Sequence, residues 1–345
     1  MTQKRSKTPT LRDVATLANV SLSTVSYCLN HDAPKKVSPE LRNRVMEAVE
    51  TLNYHPNYLA RGMRVKNRRI LAIVVPQFEN VFFTRVINGA ERIAYDNNYM
   101  LLFCSTYDDP VREQMLISNF VAQQVDGFLI APTFKGWNNV KFIWEHHIPF
   151  VVLDRYLEGA EQPYDRVSFD NELGAYQATK HLTEMGHYKL AYLNWDSPFM
   201  HIQKRQEGFW RALDEVGIPR AECPIFSGRP NAEEGYRLAE ALFARFEPTA
   251  VLTAHHYLAE GLVMFLRDTG RAIPNAVSVI THGQPSWVRL NIPNFTCIQP
   301  PAYEIGQLGA KTLLNRIKDP DLPHAEIILK PSLILRNSVR QLHND

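Results

Sequence analysis

Cysteine is scarce and scattered in this chain. Cys28, Cys104, Cys223 and Cys297 lie far apart, and no C-x-x-C pair occurs. That spacing argues against a zinc framework or a disulfide scaffold and for reduced thiols. Any run of about 18 apolar residues is also missing, so no transmembrane span is expected. The opening stretch, MTQKRSKTPTLRDV, is basic but lacks the apolar core of a secretory signal, so the chain is expected to stay in the cytoplasm with no membrane partner. Several enzyme signatures are absent as well: G-x-G-x-x-G, a phosphate-loop GKS or GKT, G-x-S-x-G and H-E-x-x-H. Acid–base pairs could be assembled from Asp154, Asp170 and the histidines, but without a motif they stay at the background expected of polar groups at strand ends. The chain is therefore read as a non-enzyme without a cofactor.

What is present is enough apolar material, 45% of 345 residues, for two or three domain-sized cores. Charge is unevenly spread. Residues 1–69 carry 13 Lys and Arg against 5 Asp and Glu, whereas the rest carries 25 against 31. A basic head on a mildly acidic body predicts that the head meets a polyanion. A merely solvated basic tail does not fit, because the head also has regular apolar spacing.

In TPTLRDVATLANVSLSTVSYCLN the pattern predicts two helices around a tight turn. Thr10 and Asp13 form a capping-box-like start, and Val14, Leu17 and Ala18 recur at helical spacing. Asn19 and Val20 interrupt, and Ser21 is a good N-cap for a second helix whose buried side is Val25 and Leu29. Leu22, Ser23, Ser26 and Tyr27 fall on its other side. A third helix is predicted in VSPELRNRVMEAVETLNY, capped by Ser38, with Pro39 in its first turn and a stripe of Leu41, Val45, Ala48, Val49 and Leu52. Helices so arranged form a helix-turn-helix, whose second helix can enter a DNA major groove, although plain helical bundles share the pattern.

The full string is more specific. LRDVATLANVSLSTVSYCLN, followed by LNYHPNYLARGMRV, resembles the DNA-binding head of the LacI/GalR family of bacterial transcription regulators. The resemblance rests on Asp13, Val14, Ala15, Ala18, Val20, Ser21, Thr24, Val25, Ser26 and Asn30, then Leu52, Tyr54, Pro56, Asn57, Ala60 and Arg61. It implies a pseudo-palindromic DNA operator as partner, with Thr10, Ser21, Thr24, Ser26 and Asn30 among the contact residues. Leu22, Ser23 and Tyr27 would occupy the positions that read base edges. Leu22 offers apolar contact, as to a thymine methyl, and Ser23 and Tyr27 offer hydroxyls, so no bidentate arginine–guanine contact is available from this helix. Lys35 and Lys36 are expected at phosphates. NYLARGMRV resembles the family's hinge helix, which brings Asn57, Ala60, Arg61 and Met63 to the minor groove, Met63 standing where a leucine wedge is usual. A plain linker is the other reading of this stretch.

From residue 69 onward short apolar runs (RILAIVVP, YMLLFCST, VDGFLIAP, IPFVVLDR) alternate with amphipathic stretches, and a second such series follows (YKLAYLN, ECPIF, AVLTA, VSVITH). This alternation predicts parallel, doubly wound sheets. The expected fold is an α-helical helix-turn-helix head plus an α/β, periplasmic-binding-protein-like body of two doubly wound lobes. The expected bounds are 1–56 for the head and 57–68 for hinge and linker. Residues 69–170 plus 301–325 would form the first lobe, and 171–300 plus 326–345 the second.

By the resemblance, a small-molecule effector binds in the cleft between lobes. Phe82 and Phe83 match the family's aromatic position, Arg205 its cleft arginine, and Phe199 and His201 nearby loop positions. Helix-face packing is an equally good reading of either phenylalanine. Two carboxylates usual in the family are replaced, one by His256 and one within THGQ, at His282. Arg205 is then expected to lack an acidic counterpart. An anionic effector, such as a sugar acid or phosphorylated metabolite, is one expectation. A neutral sugar or nucleoside is a second, and a cleft without a small ligand, under the control of a protein partner, a third. His255 is read as a neighbour without a role. No metal is expected, since His256 and Glu260 at i, i+4 lack a third ligand. The C-terminal LILRNSVRQLHND carries no leucine heptads, so a homodimer rather than a tetramer is expected. The functional expectation is thus a DNA-binding, ligand-responsive repressor of carbohydrate or related metabolic genes. An enzyme with an accessory DNA-binding head is the alternative.

Overall fold

The computed structural model of the chain describes residues 9–29, 37–54 and 68–342. They fall into two units, one ending at Arg68 and one beginning at Arg69.

The first unit holds α1 (Leu11–Leu17), α2 (Leu22–Cys28) and α3 (Pro39–Thr51). Each begins where a side chain satisfies a free backbone donor. Thr10 and Asp13 close a reciprocal capping box on α1, Ser21 accepts from the Thr24 N–H, and Ser38 accepts from the Leu41 N–H with Pro39 following. Asn19 turns the chain between α1 and α2 with a left-handed φ of 49°. Arg44 of α3 ties that turn down by donating to the Ala18 carbonyl at 2.6 Å. The core is small: Val14, Ala15, Ala18, Val25, Cys28, Val45, Ala48 and Tyr54. Leu17 departs from expectation. It is 51% exposed at the last residue of α1, outside the core formed by the described residues.

In the second unit two six-stranded sheets stand side by side. The first contains β1 (Ile70–Val75), β2 (Met100–Ser105), β3 (Gly127–Ile130), β4 (Phe150–Leu153), β5 (Asp165–Phe169) and β11 (Glu326–Leu329), in the order β11-β5-β4-β3-β1-β2. The second contains β6 (Leu190–Trp195), β7 (Ile225–Gly228), β8 (Ala250–Thr253), β9 (Ser278–His282), β10 (Thr296–Gln299) and β12 (Ser332–Ile334), in the order β12-β10-β9-β8-β6-β7. All pairings are parallel except β10 with β12. The inner strands β1, β3, β4, β8 and β9 are buried on both faces, which is why they read as unbroken apolar runs.

The helices between strands are α4 (Val81–Asp96), α5 (Pro110–Ala122), α6 (Trp137–Glu145), α7 (Asn171–Glu184), α8 (Met200–Glu215), α9 (Ala232–Phe243), α10 (His256–Asp268), α11 (Trp287–Leu290) and α12 (Ala302–Lys318). Each sheet reverses its winding once, between β1 and β3 in the first and between β6 and β8 in the second. Crevices open at such reversals, beyond the strands' carboxyl ends.

The chain crosses between sheets three times. The first two crossings follow β5 and β10, near residues 170 and 300. The third differs from the expected 326. Residues 326–329 form β11 on the first sheet, where Ile327 pairs with Val167, and the chain leaves only at Lys330 and Pro331. An ion pair from Arg166 to Glu326, at 2.7 Å, helps hold that strand to the first lobe.

Candidate functional site

Strand ends from both lobes converge on one cavity of about 80 Å³. The first lobe contributes Pro76 and Gln77 after β1, Asn80, Phe82 and Phe83 at the start of α4, Asp108 after β2, and Asp154 and Arg155 after β4. The second contributes Trp195 from β6, His201 and Arg205 from α8, His255, His256 and Tyr257 after β8, and His282 at the end of β9 with Gly283 after it. Six of the seven predicted effector positions therefore share one cavity: Phe82, Phe83, His201, Arg205, His256 and His282. Phe199 stands outside its wall. Its ring lies 4.0 Å from the Arg155 guanidinium and packs edge-on to Phe134 at 5.9 Å, so it braces Arg155 from the opposite lobe.

Arg205 is buried and partly committed. Its Nε donates to Asn171 Oδ1 at 2.8 Å and its Nη1 to the Ala254 carbonyl at 2.7 Å, leaving Nη2 outside both bonds. The expectation that it lacks an acidic counterpart is corrected by Asp154, which acts on it across the cleft. Burial lowers the Arg205 guanidinium to about 10, and the Asp154 charge works against that shift. Burial pushes the Asp154 carboxyl up, while Arg205, Arg155 and Arg166 pull it back. Asp154 has a left-handed φ of 62°, and its buried Oδ1 has no hydrogen-bond partner among the described residues. Such an oxygen is costly to bury and can accept a donor from a ligand. Arg155 is neutralised locally through a two-point contact with Asp108, one arm of it at 3.0 Å, and donates to the Pro132 carbonyl.

The imidazoles do not make the cavity strongly positive. Burial, with Arg205 nearby, holds His201, His255 and His282 well below the usual histidine range and lowers His256 to about 4. All four are uncharged near neutrality, so the two arginines face the two carboxylates. His201 Nδ1 and His282 Nε2 are buried without partners among the described residues, as is Asp154 Oδ1. His255, given no role in the sequence, forms part of the wall and stacks on His256 with ring centres 4.4 Å apart. Asp154, Arg155, Trp195, Asp108 and Tyr257 were not expected here. The signal available for them was position after an apolar strand. Among the described residues no three His, Cys, Asp or Glu side chains come together as metal ligands.

In the head, Leu22, Ser23, Ser26 and Tyr27 are exposed on one side of α2, opposite buried Val25 and Cys28. Ser21 Oγ lies 2.7 Å from Ser23 Oγ and 2.8 Å from Thr24 Oγ1, so three hydroxyls cluster at the start of the helix. Thr10 is likewise exposed, at the start of α1. Asn30, Lys35, Lys36, Asn57, Ala60, Arg61 and Met63 lie outside the described residues, and with them the expected hinge. No helix among the described residues is long and apolar enough to cross a membrane.

Known proteins share this arrangement. Residues 10–57 match the model of bacterial regulatory proteins of the lacI family, and residues 179–339 that of the periplasmic binding protein-like domain. The HTH-type transcriptional repressor PurR of Vibrio parahaemolyticus is 32% identical over 337 residues, covering 97% of this chain and 99% of the relative. The ribose operon repressor of Haemophilus influenzae is 31% identical over 336 residues, covering 96% and 99%. A LacI family transcriptional regulator from Enterococcus faecium with bound ribose superposes with a TM-score of 0.73 at 28% identity, over 79% of this chain and all of that one. The Lac repressor bound to ONPG gives a TM-score of 0.85 at 22% identity, over 96% and 100%, a likeness of fold.

Proposed function

Because the chain belongs to the lacI family of bacterial regulatory proteins, we propose that α2 of its head reads an operator and that the cavity between its lobes holds the effector. The protein is a ligand-responsive, DNA-binding repressor of metabolic genes. The relatives it matches are transcriptional repressors, and no enzymatic step is assigned to it.

The effector is an uncharged small molecule rich in hydroxyl or N–H donors, a sugar or a nucleoside. Asp154 carries this reading. Its buried, unpartnered Oδ1 faces the charge of Arg205, so a carboxylate or phosphate clamped by Arg205 would meet a negative group already in place. A neutral ligand can donate to Asp154 and accept from Arg205 Nη2 at once. The expectation of an anionic effector rested on Arg205 lacking an acidic counterpart, and Asp154 removes that ground. The names of the relatives support it: a ribose operon repressor, and a LacI family regulator with ribose bound.

On DNA the chain acts as a homodimer. The support is an apolar face on β2, the outermost strand of the first sheet, and on the helices before and after it. Tyr95, Met100, Phe103, Val111 and Met115 are all more than half exposed there. An uncovered sheet edge beside such a face calls for a partner. Two heads related by a two-fold axis would read a pseudo-palindrome.

A paired experiment tests both parts. Selection from random duplexes by the full chain should return a pseudo-palindrome bound with a steep salt slope. Neutral pentoses, hexoses and nucleosides, screened beside their phosphorylated forms, should raise the melting temperature at pH 7.5 in the wild type and not in Asp154→Asn. Stabilisation by the phosphorylated forms alone would overturn the assignment of a neutral effector.

A further inference from the structure

The residue that starts α10 is chemically out of step with those that start the other helices at the cleft. Asn80 on α4, Asp170 on α7 and Asn231 on α9 each accept from a backbone N–H of the first turn, and α8 starts at Phe199 without a side-chain cap. Asparagine does not titrate, and a carboxyl group keeps an oxygen that can accept whether or not it is charged. At α10 the cap is His255, whose Nδ1 accepts from the Tyr257 N–H at 3.2 Å. An imidazole accepts only while that nitrogen is unprotonated. Once it takes a proton, a donor points at a donor, and a cation sits at the positive end of a 13-residue helix.

Nothing nearby welcomes that charge. His256 follows as the first residue of the helix, stacked on His255, and Arg205, together with His256 once it is protonated, disfavours a cation at His255. Trp195 covers it from β6 at 5.8 Å, and Tyr257 at 5.1 Å from its own helix. Of the remaining titratable groups on the cavity, His201 and His282 are uncharged, Asp108 is held by Arg155, and Asp154 faces Arg205. Glu260 of the same helix and Glu79 of the first lobe act on Tyr257.

We propose that His255 and His256 form a proton-sensitive latch on the cleft: uncharged, His255 caps α10 and the stacked pair lets the lobes close, and proton uptake opens the lobes and weakens effector binding. This rests, for its effect on ligand, on the reading of the cavity as the effector site. The sign follows from where protons can bind. Both rings line the cavity that the second lobe shares with Gln77, Asn80, Phe82 and Phe83 of the first, so parting the lobes brings water to them. A solvated imidazole titrates near 6.5, whereas with the cavity enclosed burial lowers His256 to about 4 and His255 well below 6.5. Above pH 6.5 neither form takes a proton, and closure costs nothing on this account. Below it only the opened cleft does, so falling pH favours opening. Asp154, raised by burial, works the other way, one carboxyl against a cluster of imidazoles. Cleft contacts that must part include Phe169 with His282, at 5.9 Å between ring centres, and Arg155 with Phe199.

Small-angle X-ray scattering of the full chain, without added ligand, tests the latch at pH 7.5 and 5.5. The radius of gyration should rise at pH 5.5, the opening equilibrium shifting about tenfold for each imidazole that must charge. His255→Asn keeps an acceptor for the Tyr257 N–H and cannot charge, so it should lose one such factor and stay closed to lower pH. Should that variant fold poorly, His256→Gln gives the second reading, with the same loss expected. Scattering unchanged between the two pH values in the wild type, or the full wild-type response persisting in a folded variant, overturns the proposal. Binding of ribose and other neutral sugars or nucleosides is measured separately at pH 7.5, where the latch is closed. Failure there counts against the effector reading and leaves the scattering result to decide the latch.

Discussion

A lysine in place of Arg205 would keep the charge but lose the fork that holds Asn171 Oδ1 and the Ala254 carbonyl together. One ammonium cannot span both acceptors, so one of them would be left buried without its donor. Arg205→Lys should therefore lower the body's stability by about 2 kcal/mol and abolish the melting-temperature rise given by a neutral effector. Urea denaturation with and without ligand checks both, and an unchanged midpoint would show that the fork is dispensable. Arg205 was legible in sequence because it falls in a stretch that resembles the family. Asp154 was visible as the residue ending an apolar run, but nothing local distinguishes it from other aspartates at strand ends. Its importance comes from a charge on α8, beyond the first crossing between lobes. The same holds for His255: its cap to Tyr257 needs the helix start to fall at His256, within the error of any sequence-based boundary.

Helices α4 and α12 cross where neither has a side chain. A Cβ on Gly306 would lie 1.9 Å from the Val86 carbonyl oxygen, and one on Gly89 would lie 2.0 Å from that of Tyr303. The second lobe repeats the device, with Gly208 of α8 against Glu172 and Gly261 of α10 against Ala232. Backbone on both sides leaves no flexible atom to yield, so Gly306→Ala should destabilise the body by about 3 kcal/mol, overpacking outweighing its gain in helix propensity. Thermal unfolding of the variant measures this, and wild-type stability would refute the close crossing. At this scale the sequence was informative about type and less so about membership. Strand–helix alternation marked the elements, and capping residues marked the starts of α1, α2 and α3. But Glu326–Leu329 and Ser332–Ile334 read alike as short apolar segments, and only pairing with Arg166–Phe169 puts β11 on the first sheet. Leu17 was misread for a related reason: helical spacing shows a stripe, and the partner that decides its burial is not local.

For the whole molecule, the functional unit is expected to be two chains on one duplex, and the edge of the first lobe is where they should meet. Val111 is 72% exposed on α5, and Phe103, 56% exposed, lies on the neighbouring edge strand. A charge placed there costs the monomer little, because both side chains already face water. It would cost a dimer heavily, because the charge would be buried against apolar atoms without a counter-ion. Val111→Asp should thus sediment as a monomer at concentrations where the wild type is a dimer, with an unchanged melting temperature for the body. Operator binding should fall with it by about a hundredfold, since the second head then engages from solution instead of from a tethered position. Phe103→Asp should do the same through the adjacent strand. Dimers that persist in both variants would move the interface elsewhere, and a wild type that sediments as a tetramer would mean that a further surface of the body is in use.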